Sequence, residues 1–295
     1  MKTFAHDDLL YFRFGALPEN GRVGHAVFSR RGGVSAAPFD SLNLSLSVPD
    51  ERDRVYANRR RVYGLYGRDT DTVVHAHLVH GADVARVTTA DNGTWVHHVD
   101  GLITNQPGCV LSMNFADCTP IFLYDPARQA IGLGHAGWKG TVVDLPGAMV
   151  RAMTEQFGSR PADLIAAVGP CIGPCCYEVG QDVIAAVCGA FAGEADGLLT
   201  AVGRPPAADD GTRSADDRPR TTDHGQEAFG GGRPTADGRR FFDLPAANRR
   251  NLLNTGVTQI EVSEYCTACR TDLFFSHRAE KGKTGRFGTV LALGL

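Results

Sequence analysis

Residues 100 to 141 read DGLITNQPGCVLSMNFADCTPIFLYDPARQAIGLGHAGWKGT. Two apolar runs lie in this stretch, Cys109 to Tyr124 and Ala130 to Leu133, and each is interrupted or followed by a residue able to bind metal or attack an electrophile. Cys118 sits in the first run and His135 closes the second. A buried strand needs neither, because Val, Ile or Leu would fill the same space without leaving a polar group to satisfy. The stretch therefore reads as scaffold that carries chemistry.

Toward the N-terminus, Val73 to Val87 reads as strand, turn, strand, with His75, His77 and His80 before Gly81. Alternation places His75 and His77 on one face, and His80 falls at the turn, where a side chain can point into a cleft. Asp50 to Tyr66 has the charge density of an exposed helix with Val55, Val62 and Leu65 on one side, while Leu9 to Phe14 and His25 to Ser29 are strand-like. Toward the C-terminus, Gly147 to Phe157 reads as a helix begun near Pro146 and ended by Gly158, Leu164 to Val168 as a buried strand, and Gln181 to Phe191 as a helix. A helix from Pro245 to Asn254, ended at Gly256, precedes strands at Gln259 to Val262 and Gly288 to Leu293. Residues 203 to 228 contain no Val, Ile, Leu, Met, Cys, Phe, Tyr or Trp. Such a segment buries too little apolar surface to offset its ordering entropy, so it reads as a disordered insertion within one domain spanning 1–295. Strands and helices mixed without regular βαβ spacing predict a single-domain layered α/β sandwich with mixed sheets.

With 295 residues, 43% hydrophobic content and a formal charge of -3, the chain has material for one large core or two small ones. Dispersed Lys and Arg with a slightly acidic balance argue against nucleic acid as a partner. The N-terminal run is broken by His6, Asp7 and Asp8, and no later run approaches the roughly 20 apolar residues of a membrane span. A cytoplasmic protein with no membrane partner is expected. Eight cysteines without a secretion signal read as thiols or ligands, not as a disulfide framework.

Two kinds of chemistry suit the reactive residues. In one, His135 lowers the thiol pKa of Cys118, with Asp117 or a backbone amide orienting the pair, and the thiolate attacks a carbonyl. In the other, His80, Cys118 and His135 hold one zinc and leave a fourth position open. Spacing leaves both open, since the residues come from separate strands. The CxxC at Cys266 and Cys269 is a weaker metal candidate, lacking a second pair at zinc-finger spacing. Arg31, followed by Gly32 and Gly33, suits an oxyanion-binding turn. Asn43 lies in the polar loop from Asp40 to Ser45.

The segments LVHG (78 to 81), DGLIT (100 to 104), ADC (116 to 118), GHAGWKG (134 to 140), IGPCCYEVG (172 to 180), DLPAANR (243 to 249), and CT, FFSHR and TGR between 266 and 286 together resemble the laccase-domain family. Its members are known both as multicopper polyphenol oxidoreductases and as purine nucleoside phosphorylases. The resemblance runs nearly end to end and implies an α/β/β/α sandwich similar to that of a cysteine-dependent deamidase toxin. It places the zinc ligands, and the catalytic residues, on His80, Cys118 and His135. Leu78 stands where the family usually has Gln, and Lys139 where it usually has Arg.

Multicopper oxidation consumes about ten histidines, usually in repeated His-x-His pairs. Ten is the whole inventory here, and the one such pair is His75 and His77. Laccase chemistry and copper are therefore not favoured. What the resemblance implies instead is phosphorolysis of adenosine, inosine and S-methyl-5'-thioadenosine, together with adenosine deamination at the same zinc site. Purine nucleosides and phosphate are the expected partners, with Arg31, Asn43, Lys139 and Arg278 as candidate substrate and phosphate contacts. The alternatives are a metal-free Cys118 hydrolase acting on an amide, and a binding module with vestigial chemistry. Monomer and homodimer are both left open.

Overall fold

The computed structural model describes residues 1–18, 22–201 and 239–294. The expected insertion at 203 to 228 lies outside them. In chain order the strands are β1 (Lys2–His6), β2 (Leu9–Arg13), β3 (Val23–Phe28), β4 (Val74–His77), β5 (Val84–Arg86), β6 (Trp95–His97), β7 (Gly101–Thr104), β8 (Val110–Phe115), β9 (Thr119–Asp125), β10 (Ala130–Ala136), β11 (Ile165–Val168), β12 (Glu178–Val179), β13 (Leu199–Thr200), β14 (Arg240–Phe242), β15 (Gln259–Val262) and β16 (Phe287–Leu293). The α-helices are α1 (Arg52–Gly64), α2 (Trp138–Val142), α3 (Leu145–Phe157), α4 (Gln181–Ala190), α5 (Ala195–Leu198) and α6 (Leu244–Asn254). They form two compact units, Met1–Gly173 with Leu244–Leu295, and Pro174–Asp243.

The larger unit contains two mixed sheets, ordered β1-β2-β3-β16-β8-β4-β6 and β15-β11-β9-β10-β7-β5. Alternation along the strands explains how they stack. Phe122 and Tyr124 of β9 join Leu111, Met113 and Phe115 of β8 in one core between the sheets, while Ile121 and Leu123 turn the other way onto Met149, Val150 and Met153 of α3 and Leu252 of α6. On the far face of the seven-stranded sheet, Phe28 and Val290 pack with Val62 and Tyr63 of α1. The order of layers is thus α1, seven strands, six strands, then α3 with α6, as the α/β/β/α expectation required. Phe122 is fully buried; truncating it to Ala would cost about 3–5 kcal/mol through lost transfer energy and the cavity left behind.

Local chemistry sets the boundaries. Helix α3 starts at Asp144, whose carboxylate accepts the Gly147 N–H at 3.0 Å, carries Pro146 in its first turn, and stops at Gly158 in the left-handed region. In α1, Val55 and Val62 are buried as expected, but so are Asn58, Arg59 and Tyr63, and Leu65 lies past the last helical residue.

The structure adds detail to two of the strand readings. The interrupted apolar run from Cys109 to Tyr124 holds two strands: β8 belongs to the seven-stranded sheet and β9 to the six-stranded sheet, with the chain crossing between them at Ala116, Asp117 and Cys118. Asp117 makes the crossing with φ 81. The two strands expected in Val73 to Val87 are both present, β4 joining the seven-stranded sheet and β5 the six-stranded one.

The smaller unit has a three-stranded antiparallel sheet, β12-β14-β13, with α4 and α5. Glu178 pairs with Phe241 and Leu199 with Phe242 in its register.

Candidate active site

His80 follows β4 in a turn with φ 61, a conformation that a side chain tolerates only when surrounding bonds hold it. Those bonds come from one carboxylate. Asp100 accepts the backbone N–H groups of Val79 at 3.1 Å, His80 at 3.0 Å and Gly81 at 2.8 Å. Its Oδ1 also lies 3.1 Å from His135 Nδ1, and the His135 N–H donates to the Asp100 carbonyl at 2.8 Å. A fully buried carboxylate would ordinarily be costly; here four donors compensate it. Burial alone would raise the Asp100 pKa, but the His135 contact and the Gly81 and Val79 amides hold it below the usual value.

With Nδ1 facing Asp100, His135 has Nε2 left for the cluster. The ligand atoms of His80, Cys118 and His135 all lie within 4.8 Å of one another. Cys118 reaches them because it ends the crossing between sheets, next to β9, while His135 pairs with Pro120 on the adjacent strand. Gly137 completes the arrangement: a Cβ there would sit 2.9 Å from Cys118 Sγ and 3.2 Å from His80 Nδ1, so any side chain would push the ligands apart. Burial acts to raise the Cys118 thiol, yet His135 and His80 outweigh it and drive the pKa down. Burial acts to lower His135, and Cys118 with Asp100 drives it up instead. In the metal-free form the buried pair is thus biased toward thiolate and imidazolium.

The segment after Gly137 is braced from α6. Thr141 Oγ1 lies 2.9 Å from the Gly137 carbonyl and 3.1 Å from Asn248 Oδ1, two acceptors that share its one proton, Asn248 Nδ2 donates to Thr119 Oγ1 at 3.3 Å, and Asn251 Nδ2 donates to the Thr141 carbonyl at 2.8 Å. Asn248 lies in the DLPAANR segment, which therefore supports the site from behind.

The expected orienting residue Asp117 does not do that work. Its Oδ1 accepts Thr267 Oγ1 and its Oδ2 accepts the Arg278 N–H, both at 2.7 Å, whereas Asp100 orients His135. Sequence reasoning missed Asp100 although the quoted stretch begins with it. The available signal was an Asp–Gly pair heading a buried strand.

The four expected substrate contacts fall in different places. Arg278 is exposed and tethered through its backbone to Asp117, beside Cys118. Lys139 is exposed in the first turn of α2, its Nζ 5.7 Å from the Trp138 ring. Arg31 engages Asp272, donating from Nε to its carbonyl at 2.9 Å and from Nη2 to its carboxylate at 3.3 Å. Asn43 is fully buried, with its amide bonded to Ser45, Asp50 and the Arg286 N–H. It shapes the loop and offers no free group to a ligand. A cation not singled out from the sequence is Arg286, half-buried, with Nη1 donating to the carbonyls of Thr284 and Gly285 at 3.0 and 2.9 Å. Burial lowers its pKa, and the nearby Cys118, Asp117 and Glu280 act against that.

Two imidazoles and a thiol converging this closely suit a divalent transition metal such as zinc. A multicopper set is not assembled: among the described residues, no second group containing histidine offers three ligands. The CxxC pair keeps its sulfurs within 4.8 Å of each other, and Cys266 Sγ accepts the Gly173 N–H at 3.2 Å.

Fold and cluster define a class: a four-layer α/β/β/α unit with two imidazoles and a thiol gathered where its sheets exchange chain. A family model described as multi-copper polyphenol oxidoreductase laccase matches residues 24–216 and 212–294, and the chain belongs to that family. It is 38% identical over 285 residues to the Geobacillus stearothermophilus protein named purine nucleoside phosphorylase YlmD, covering 94% of this chain and 92% of that one. The Escherichia coli purine nucleoside phosphorylase YfiH is 28% identical over 276 residues, covering 94% and 96%. Among solved structures, a Bacillus licheniformis protein titled hypothetical protein YfiH superposes with TM-score 0.81 at 31% identity, covering 98% of this chain and 97% of that one. The G. stearothermophilus YlmD structure gives 0.79 at 35%, with the same coverage.

Proposed function

We propose that this protein is a zinc-dependent purine nucleoside phosphorylase that also deaminates adenosine at the same site. The observation that carries the reading is the His80, Cys118 and His135 cluster set on Asp100, in a chain whose relatives along more than nine-tenths of its length are named purine nucleoside phosphorylases. Zinc held by the three side chains would supply Lewis acidity and an open coordination position. Asp100 fixes the His80 turn and the His135 ring together, so the cluster needs no rearrangement when substrate arrives. In phosphorolysis a phosphate oxygen bonds to C1' of the ribose, the bond from C1' to N9 breaks, and the departing base takes its electron pair and a proton. The negative charge of the attacking phosphate calls for fixed cations, and the candidates are Arg278, whose backbone meets Asp117, Arg286, on which Cys118 acts electrostatically, and Lys139, four residues past His135. Arg31 is assigned instead to its pair with Asp272. In deamination, water adds at C6 of adenine and ammonia leaves, which requires no phosphate site.

The test is base release from adenosine, inosine and S-methyl-5'-thioadenosine with and without phosphate, alongside ammonia release and elemental analysis. Phosphate-dependent base release by a zinc-containing protein is expected. Replacing Arg278 with Gln lowers phosphorolysis at least tenfold, about 1.4 kcal/mol, more than it lowers deamination. Base release that proceeds equally without phosphate sinks the proposal.

A second reading is favoured by one observation: Cys118, His135 and Asp100 form a thiol, imidazole and carboxylate series of the kind used by amide-cleaving enzymes. Activity on an amide that survives chelation would favour it.

A further inference from the structure

The larger unit carries a second cluster of imidazoles at the edge of the seven-stranded sheet. Strands β4 and β6 run parallel, with His75 opposite Trp95 and His77 opposite His97, and β6 is the terminal strand. Alternation puts all four rings on one face of the sheet. His75 is buried and stacks on Trp95 at 4.6 Å between centroids; the edge of Trp95 meets His77 at 4.9 Å; and His77 lies 4.4 Å from His97. Arg59 covers Trp95 from 5.2 Å. The indole is therefore clamped, and it holds His77 in place. Both outer histidines are exposed, and neither ring has a hydrogen-bond partner among the described residues.

The geometry points to a bidentate site for a divalent late transition metal, formed by His77 and His97 and separate from the three-ligand cluster. One ion binding two imidazoles at about 2.0–2.1 Å needs their donor nitrogens roughly 3 Å apart. Rings whose centroids are 4.4 Å apart are already in van der Waals contact, so small χ2 rotations of exposed side chains suffice. The in-register parallel pairing supplies the convergence, and the clamped Trp95 lowers the entropy lost on binding. Water fills the remaining positions, because among the described residues both His77 and His97 are exposed. Imidazole pairs follow the ordinary preference for Cu2+ and Ni2+ over Zn2+, so the site accepts an ion different from the one proposed for the cluster. His77 also stands three residues before His80, which places the two sites within about 11 Å along the chain.

Zinc-saturated protein titrated with Ni2+ tests this, since zinc occupies the cluster and the thiols beforehand. Calorimetry should find one further site in the wild type. His77→Gln and His97→Gln should each weaken it at least tenfold, the double variant should be no weaker than the single ones, and His98→Gln should stay within about twofold. As a measurement that needs no variant, substoichiometric Ni2+ should broaden the ring resonances of His77 and His97 before those of any other histidine. Equal Ni2+ affinity in wild type and double variant, loss on His98→Gln comparable to His97→Gln, or broadening that begins at other histidines would each overturn the assignment.

Discussion

Buried histidines occur in both sheets, and the two regions treat them in opposite ways. In the seven-stranded sheet His25 and His75 are 1% and 2% exposed, and among the described residues no carboxylate acts on either. Burial, reinforced by Arg13 and Arg59 respectively, lowers their pKa to about 4 and about 3. His25 Nε2 accepts the Phe14 N–H at 2.8 Å, as a neutral ring can, while His75 Nε2 finds no hydrogen-bond partner among the described residues. In β10 of the six-stranded sheet, His135 is buried just as deeply at 3%, but Cys118 and Asp100 press it toward the charged form. Depth alone thus makes a histidine inert packing. An acid on one nitrogen and a thiol on the other biases the same residue toward the charged form.

Exchanging each kind of histidine for leucine should break the comparison most visibly. In His135→Leu the Asp100 and Cys118 charges lose their partner inside the protein, so unfolding free energy should drop by about 3–5 kcal/mol and metal should no longer copurify. In His75→Leu a neutral ring stacked on Trp95 is replaced and no buried charge is stranded, so the change should stay within about 1.5 kcal/mol. Urea unfolding and elemental analysis of the two variants measure both; equal losses would mean the partners of His135 contribute nothing.

Asp100→Asn sharpens the same contrast, since it keeps size and some acceptor capacity while removing the charge. Metal affinity should fall about 10–100-fold, as for other residues that orient a metal-binding histidine. Competition with a chromophoric chelator reads this directly, and unchanged affinity would show that His135 needs no orienter.

The effect confined to acid pH concerns the inert histidines. An unfolded histidine takes its proton near pH 6.5, but folded His25 does not until about pH 4. Between those values the unfolded state holds the extra proton, so stability is complete above pH 6.5 and is lost as pH falls toward 4, at up to about 1.4 kcal/mol per pH unit. In chelator-treated protein, the pH dependence of unfolding should be shallower in His25→Gln by that amount. A slope identical to the wild type's would mean His25 titrates normally when buried.

Much of this was visible in the sequence because thiols and imidazoles interrupting apolar runs are conspicuous. His80, Cys118 and His135 could be grouped before any coordinates, and the helix limits at Pro146, Gly158 and Gly256 followed from backbone chemistry. Asp100 was harder to see, because an Asp before Gly at the head of a strand looks like any turn residue until three amides and a histidine close around it. The break at Ala116 to Cys118 was hidden for another reason: both flanking strands are buried, so hydrophobicity is continuous across a change of sheet. Cations were least legible, since whether Arg31 meets a ligand or Asp272 depends on a residue 241 positions away.

The crossing at Ala116 to Cys118 also has a mechanical meaning. His80 hangs from a strand of one sheet, His135 sits in the other, and Cys118 is the hinge pin between them. Sliding one sheet over the other by a fraction of an ångström opens or closes the triangle of ligands directly. Core side chains such as Met113 and Phe122, packed between the sheets, act as shims that set its dimensions. An ion clasped at the triangle resists that shear, so the choice of ion and the repacking of the interior become two adjustments of a single length.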